Sequence, residues 1–103
     1  MKKTTKLRQL IKAPEIVISP GAYDCLSAKL IEHMGFKSLS TTGAGISESF
    51  LGLPDFGIMG LNDNLTVSKN IGQAVKIPVM ADADEGYGNA VNVYHTVDRK
   101  SVV

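Results

Sequence analysis

The chain has 103 residues, of which 44% are hydrophobic and 20% are charged, and these values are typical of one small globular domain. A formal net charge of +1 gives no basic footprint for nucleic acid or for an anionic membrane surface, so neither is expected as a partner. The single cysteine excludes an internal disulfide and is typical of a reducing cytoplasm, and no apolar run has the length of a signal core or a membrane span.

The first half of the chain predicts two helices and two strands. Both helices carry apolar side chains at helical spacing, and Pro14 and Gly35 stand where they end. A β-branched run predicts the first strand, and Pro20 and Gly21 turn the chain after it. The predicted elements are, in order, a helix over residues 4–12, a strand over 15–19, a helix over 23–34 and a strand over 38–42.

The second half continues this alternation. Residues 43–61 form a predicted loop, and loops of this length in compact domains are usually functional or disordered. Asn62 or Asp63 is predicted to cap the next helix, a strand follows at residues 77–82, and Asn89 is predicted to cap a last helix. Alternating strands and helices imply a parallel sheet with right-handed crossovers, so the predicted fold class is α/β.

Two carboxylates follow the third predicted strand. Side chains of a strand alternate between faces, so Asp82 and Asp84 point the same way. Like charges this close are unfavourable unless a cation or hydrogen-bond donors lie between them. Paired oxygen ligands suit Mg²⁺, which takes one or two carboxylates and keeps several waters. The spacing alone is also compatible with a solvated turn, in which Asp and Gly serve turn formation.

Three motifs resemble one enzyme family. Residues 78–89, Pro-Val-Met-Ala-Asp-Ala-Asp-Glu-Gly-Tyr-Gly-Asn, resemble its metal-site motif. Residues 42–45 (Thr-Gly-Ala-Gly) and 51–57 (Leu-Gly-Leu-Pro-Asp-Phe-Gly) resemble its substrate loop and the signature that follows, and residues 20–24 (Pro-Gly-Ala-Tyr-Asp) resemble its first strand-to-helix turn. From about residue 7 to residue 97 the chain thus resembles the isocitrate lyase/phosphoenolpyruvate mutase superfamily, with methylisocitrate lyase, dimethylmalate lyase and oxaloacetate decarboxylase as the nearest types.

The resemblance implies a (β/α)8 TIM barrel of parallel strands, which typically needs about 250 residues. Residues 1–97 are therefore predicted to be the N-terminal part of a TIM-barrel lyase domain, with about three βα units. The carboxyl ends of barrel strands share one rim, where active sites form. Residues 98–103 are interpreted as a tail that breaks the last helix and derives from a sequencing adapter, because the adapter codons GATCGGAAGAGCGTCGTG encode them.

A metal site is implied by the same resemblance. Asp82 would bind Mg²⁺, or Mn²⁺, most directly, and Asp84 would bind it directly or through water. Asp55 would be a further acid near the metal or the substrate, with a turn after Pro54 as its structural alternative. Glu85 stands where family members often carry an uncharged residue, and it is interpreted as solvated.

A substrate loop is implied beside the metal. The backbone N–H groups around Thr42, Gly43 and Ala44 would receive a substrate carboxylate, since glycine allows backbone donors to approach an anion closely. Ser40 stands where lyase relatives commonly carry Tyr, and Thr42 replaces their usual Ser. The identity of the carboxylate substrate is left open by the change at Ser40.

The implied reaction is cleavage of a C–C bond in a small 2-hydroxy or 2-keto di- or tricarboxylate through an enolate. By resemblance, a cysteine in a Lys-Lys-Cys-Gly-His-like loop beyond this chain supplies the proton, so residues 1–97 are predicted to hold no catalytic residue. Phosphonopyruvate chemistry and oxaloacetate decarboxylation are alternatives within the superfamily, and a truncated chain without activity of its own is another. The resemblance implies that the full-length protein is a homotetramer, and the single cysteine is the ground for a cytoplasmic location.

Four residues with reactive side chains are weighed against simpler roles. Cys25 is interpreted as structural, because it lies early in a helix and a buried free cysteine is common. His33 and His95 lack metal-ligand spacing and are interpreted as having no functional role; His33, near a helix end, is either solvated or a charge partner of the helix C-terminus. Tyr87, between two glycines, is interpreted either as part of the wall of the metal loop or as a packing residue.

Overall fold

The computed structural model describes residues 1–100 and contains a parallel sheet of three strands in the order β1-β2-β3. Five α-helices and one π-helical turn are present in these residues. The elements are α1 (Lys3–Lys12), β1 (Gly21–Ala22), α2 (Cys25–His33), β2 (Leu39–Thr41), α3 (Gly43–Ile46), a π-helical turn (Ser47–Leu51), α4 (Leu61–Ala74), β3 (Val79–Met80) and α5 (Ala90–Lys100).

The core lies between one face of the sheet and helices α2 and α4. Leu39 and Ile71 are fully buried there, and α2 contacts both α4 and β1. Because side chains of a strand alternate, the opposite face carries Ser40 and its register partner Met80, which stays exposed. The buried apolar residues are Ala22, Ala28, Leu39, Ile46, Met59, Val67, Ile71 and Val75.

The first strand begins later than predicted. Pairing with β2 joins Gly21 to Ser40, so the predicted strand at residues 15–19 lies largely beyond the start of β2. A strand needs a neighbour for its hydrogen-bond ladder, and Ile16 is 90% exposed. The prediction of a strand at 15–19 followed by a turn at Gly21 is therefore wrong, and Gly21 is itself in β1.

Hydrogen bonds from side chains near both ends of α2 fix its start and its connection to the segment before β3. The Asp24 carboxylate accepts the Ser27 N–H at 2.7 Å and caps α2, which ends before Gly35 with φ of 93°. Glu32 accepts the backbone N–H groups of Lys76 at 2.6 Å and Ile77 at 3.1 Å, so α2 holds the connection that leads into β3. The predicted end of this helix at Gly35 is confirmed.

The predicted loop at residues 43–61 is partly helical. Thr42 caps α3 by accepting the Gly45 N–H at 3.2 Å, and the π-helical turn continues it to Leu51. Helix α4 begins at Leu61, ahead of the predicted caps Asn62 and Asp63, because Asp63 lies in the first turn and accepts the Gly60 N–H at 3.3 Å. The predicted loop and the predicted helix cap are therefore both corrected. The hydrogen bonds that set these helix starts join residues three positions apart, and apolar periodicity does not reveal them.

The last helix begins as predicted and continues further. Asn89 accepts the N–H groups of Val91 and Asn92 at 3.1 and 3.2 Å and caps α5, which runs to Lys100. The predicted break at residue 98 is wrong, since the basic residues at 99 and 100 suit a helix C-terminus. Residues 101–103 of the predicted tail lie outside the described part, and the adapter origin stays a prediction. Within residues 1–100, no helix combines the length and apolar character that a bilayer crossing requires.

Candidate functional site

The carboxyl ends of β2 and β3 bring a carboxylate against a glycine. Asp82 lies just beyond β3, and its N–H donates to Thr41 Oγ1 at 2.8 Å. One carboxylate oxygen, Oδ2, accepts the Gly43 N–H at 3.1 Å, and the other, Oδ1, accepts the Asp84 N–H at 2.9 Å. The orientation of Asp82 is therefore fixed by two backbone donors from two different segments.

Gly43 allows this close approach because it lacks a side chain. A Cβ built at Gly43 would lie 2.6 Å from Asp82 Oδ2 and 3.6 Å from Asp84 Oδ1. Both predicted metal ligands therefore point at the same backbone position, at the start of α3. The prediction that Asp82 and Asp84 share a direction agrees with this geometry.

Negative charge accumulates around Asp84. Partial burial raises the pKa of the Asp84 carboxyl above its usual value, and the neighbouring charges of Asp82, Glu85 and Asp55 raise it further. Asp55 is exposed in the segment after the π-helical turn, and its charge is among those that raise the pKa of Asp84. Such a set of acids is unfavourable by itself and favours binding of a cation.

The chemistry of these donors fits Mg²⁺ or Mn²⁺. In residues 1–100 no group of at least three His, Cys, Asp or Glu side chains is arranged to hold a metal ion. Mg²⁺ does not need such a group, because it is commonly bound through one or two carboxylates with water completing its octahedron. Asp82 and Asp84 supply these two carboxylates, so the residues present fit the ion that the sequence predicts.

The loop after Asp84 has an unusual backbone. Asp84 and Tyr87 both adopt positive φ, at 45° and 64°, and Gly86 and Gly88 flank Tyr87 with φ of 100° and 145°. Positive φ in a residue other than glycine is uncommon and often marks a functional segment. The Gly86 carbonyl accepts the Thr96 hydroxyl at 2.7 Å, which fastens this loop to α5.

Asn64 is a site residue that the sequence did not indicate. It lies on α4 with no exposed surface, and its Nδ2 donates to the Tyr87 hydroxyl at 2.7 Å. Burial and the nearby Asp84 charge raise the pKa of Tyr87 above its ordinary value, so its hydroxyl stays protonated. The only signal in the sequence is a polar residue near the start of an amphipathic helix, which is usually solvated.

The predicted substrate loop is present at the same rim. The Thr42 N–H donates to the Ala22 carbonyl at 3.1 Å, and the Gly43 N–H donates to Asp82 Oδ2, so two of the three predicted carboxylate donors have protein acceptors. Ala44 lies half-buried in α3. Ser40 lies lower on the open face of the sheet, where its hydroxyl is 3.1 Å from the Ser19 hydroxyl. Ser40 is thus not brought into contact with the acids.

Cys25 and the two histidines are not brought to this rim, whereas Lys100 contacts Asn64. Cys25 is half-buried at the start of α2, while His33 and His95 are exposed on different helices. The Lys100 ammonium group donates to Asn64 Oδ1 and, at 3.0 Å, to Ser68 Oγ. Burial lowers the pKa of Lys100 to about 8.

Comparison with known proteins identifies the family of this chain. The family model for phosphoenolpyruvate phosphomutase matches residues 7–101. The chain belongs to this family. It is 42% identical over 97 residues to 2,3-dimethylmalate lyase of Eubacterium barkeri, with 94% of this chain and 34% of the relative covered. It is also 43% identical over 91 residues to 2-methylisocitrate lyase of Aeropyrum pernix, with 88% of this chain and 29% of the relative covered.

A solved structure of the family agrees with the fold. Phosphonopyruvate hydrolase in complex with oxalate and Mg²⁺ matches with a TM-score of 0.93 and 33% identity, covering 99% of this chain and 36% of that one. Oxaloacetate decarboxylases are also among the relatives, so the family members similar to this chain differ in reaction and substrate. The predicted family and the predicted α/β fold, an N-terminal part of a TIM barrel with three parallel strands, are confirmed. The chain spans about a third of the length of the relatives it matches.

Proposed function

We propose that this chain is the N-terminal part of a Mg²⁺-dependent enzyme that cleaves a C–C bond in a small 2-hydroxy or 2-keto di- or tricarboxylate. One observation carries the proposal: the carboxylates of Asp82 and Asp84 converge on the Gly43 backbone at the rim of the sheet. Membership of a family of lyases and mutases supplies the reaction class. Carboxylate oxygens at the start of a glycine-containing backbone segment suit a metal ion that is chelated by a substrate carboxylate.

Each residue of the rim has a proposed role. Asp82 and Asp84 would hold Mg²⁺, or Mn²⁺ in its place, and Asp55 would add negative charge near the ion or contact the substrate. The ion, when bound, would supply positive charge that stabilises a negative oxygen of the reacting carboxylate. The backbone from Thr42 to Ala44 would orient a substrate carboxylate, with glycine at its centre to admit it.

The wider assignment is proposed on the same basis. Residues 1–97 are proposed as the N-terminal part of a TIM-barrel lyase domain, and residues 98–103 as adapter-derived. The complete protein is proposed to be a cytoplasmic homotetramer, with a general acid supplied by a segment outside this chain. Ser40 is proposed to affect substrate choice from below the rim, where it contacts Ser19 rather than the acids.

A second reaction class within the family is supported by the range of relatives. Oxaloacetate decarboxylases and phosphonopyruvate hydrolase also resemble this chain, and both act on 2-keto carboxylates by their names. The rim described above would serve them equally, because it handles the metal and a carboxylate rather than the bond that breaks. A third reading is that the chain by itself has no activity.

The test begins with the source locus. A long sequencing read past the codon for Val97 gives the complete reading frame, and the encoded protein is incubated with Mg²⁺ and each of four acids: 2,3-dimethylmalate, 2-methylisocitrate, oxaloacetate and phosphonopyruvate. Products are identified by ¹H and ³¹P NMR. Mg²⁺-dependent cleavage of a hydroxy acid supports the proposal, whereas decarboxylation alone or release of phosphate supports the second class. A genuine stop after Val103 with no turnover would leave only the inactive chain.

A further inference from the structure

Strand β3 leads to Asp82, but it has only two residues in the sheet. So short a strand offers few backbone hydrogen bonds by which its neighbour can fix its position. Side chains of other elements hold both of its ends. At the amino end, the Glu32 carboxylate accepts the N–H groups of residues 76 and 77 at 2.6 and 3.1 Å. At the carboxyl end, the Thr41 hydroxyl oxygen accepts the Asp82 N–H at 2.8 Å.

Thr41 suits this contact by its place and by its shape. It is the last residue of β2 and is buried, and β2 leads through Thr42 into α3, which begins at Gly43. The branch at Cβ restricts the Thr41 side chain to few rotamers, so its hydroxyl oxygen is an acceptor in a fixed position. This oxygen can therefore set where the Asp82 backbone lies at the rim.

The same segment of the chain also holds the Asp82 side chain. Gly43, two residues after Thr41, donates its N–H to Asp82 Oδ2 at 3.1 Å. A Cβ at Gly43 would come within 2.6 Å of that oxygen, so the carboxylate lies directly against the backbone at the start of α3. Thr41 thus holds the backbone of Asp82 and Gly43 holds its side chain. The carboxylate keeps its direction only while the Asp82 backbone keeps its place.

We propose that Thr41 is a positioning residue, whose hydroxyl oxygen holds the Asp82 backbone where the Asp82 carboxylate can bind a divalent cation. This inference rests on the proposed metal role of Asp82. Thr41 acts on Asp82 and not on the ion. Without the hydroxyl, the Asp82 N–H must turn to water, because a donor left without a partner is costly, and the carboxylate moves with it. Outer-shell partners of a metal ligand commonly change metal affinity by about 10- to 100-fold.

The test uses the complete protein from the source locus and Mn²⁺ as the probe, with free Mn²⁺ measured by electron paramagnetic resonance. Thr41→Val removes the acceptor and keeps the branched shape, whereas Thr41→Ser keeps the hydroxyl and removes the methyl group. We expect Thr41→Val to weaken Mn²⁺ binding by about 10-fold or more. We expect the affinity of Thr41→Ser to stay close to that of the wild type.

Ser38→Ala is the matched control for strand pairing. Ser38 precedes β2 and is fully buried; its hydroxyl donates to the Pro78 carbonyl at 3.4 Å and lies 3.3 Å from the Ser19 hydroxyl. The substitution therefore removes a hydroxyl contact between the segments that enter β2 and β3, at the end away from Asp82. The thermal midpoints of both metal-free variants, Thr41→Val and Ser38→Ala, should fall by a few degrees. Only Thr41→Val should lose Mn²⁺ affinity.

Each result decides for or against the role of Thr41. Wild-type protein that does not bind Mn²⁺ refutes the proposed metal site and with it this inference, whereas equal binding by wild type and Thr41→Val refutes the inference alone. An equal loss of affinity in Thr41→Ser, or in Ser38→Ala, also overturns it, because the methyl group or strand pairing in general is then the cause. Lost affinity in Thr41→Val alone supports it. If Thr41→Val does not fold, Thr41→Cys replaces it, since sulfur accepts weakly, and unchanged affinity there is a refutation too.

Discussion

Replacing Gly43 with alanine should weaken metal binding by at least as much free energy as it removes from the stability of the fold. The new Cβ would lie 2.6 Å from Asp82 Oδ2, so this oxygen must retreat by about 0.8 Å to reach an ordinary contact of 3.4 Å. That movement breaks the 3.1 Å hydrogen bond from the Gly43 N–H and turns the carboxylate away from its present direction. Asp84 Oδ1, at 3.6 Å from the same Cβ, is left in place.

The change in folding free energy is the sum of opposed effects. Loss of a hydrogen bond to a charged group costs about 1.5–3 kcal/mol when buried, and Asp82 is partly exposed, so the lower end applies. Alanine at the start of α3 restricts the unfolded chain and returns about 0.4–1 kcal/mol, because the φ of Gly43 is not positive. The net loss should be near 1 kcal/mol. A misplacement approaching 1 Å in a site can cost about 100-fold in function, so Mn²⁺ affinity should fall by at least about 10-fold.

The assay measures Mn²⁺ dissociation constants and chemical unfolding on the same samples of the complete protein. Gly21→Ala is the control, because a Cβ there meets nothing closer than 3.7 Å and the residue lies in the neighbouring strand β1. Unchanged Mn²⁺ affinity in Gly43→Ala would show that Asp82 is not a ligand in its present direction. A loss of several kcal/mol in stability would show that the rim is a folding element first.

Three further results are expected. Asp84→Asn should stabilise the metal-free protein near neutral pH and should have little effect in acid. The pKa of Asp84 is raised in the folded protein, so stability that is present below the ordinary pKa of 3.8 is lost as pH rises through the raised pKa, and asparagine does not ionise. Thermal midpoints measured against pH test this, and a stabilisation that does not depend on pH would contradict it. Asp24→Ala should cost about 1 kcal/mol of unfolding free energy through loss of the α2 cap, with Glu15→Ala as a surface comparison; equal values for both would contradict the capping role. The 103-residue chain alone should aggregate or unfold over a broad temperature range, since Ile16 and Phe56 are 90% and 83% exposed and the described sheet has β1 and β3 as edge strands. A sharp transition of a monomer in calorimetry would refute this.

Features that depend on residues close in sequence were predictable. Apolar spacing predicted α1, α2 and α4, because a helix repeats its buried face every three or four residues. Gly35 and Asn89 were recognised as helix ends, since positive φ and an Asx cap are local properties of those residue types. The shared direction of Asp82 and Asp84 was predicted from strand alternation, but β3 ends at Met80 and Asp84 has φ of 45°, so a turn rather than an extended strand brings the two carboxylates to Gly43.

Features that depend on distant partners were not predictable. The position of β1 is set by the register of Gly21 with Ser40. No property of residues 15–19 indicates that β2 does not extend far enough to pair with them. The burial of Asn64 depends on Tyr87, which lies 23 positions further along the chain and reaches α4 only through a left-handed backbone. Polar residues of this kind have no signature of their own, because their role is defined by the partner that satisfies them.

The Gly43 N–H connects the two halves of the proposed site. In the structure this donor is used by Asp82, yet the resemblance assigns it to a substrate carboxylate. One N–H group cannot serve both acceptors at full strength, so a carboxylate at this position must either compete with Asp82 or share the donor with it. Competition would release Asp82 Oδ2 from the Gly43 N–H. The metal pair and the substrate loop are therefore not independent, and this is why a single methyl group at Gly43 is expected to disturb both.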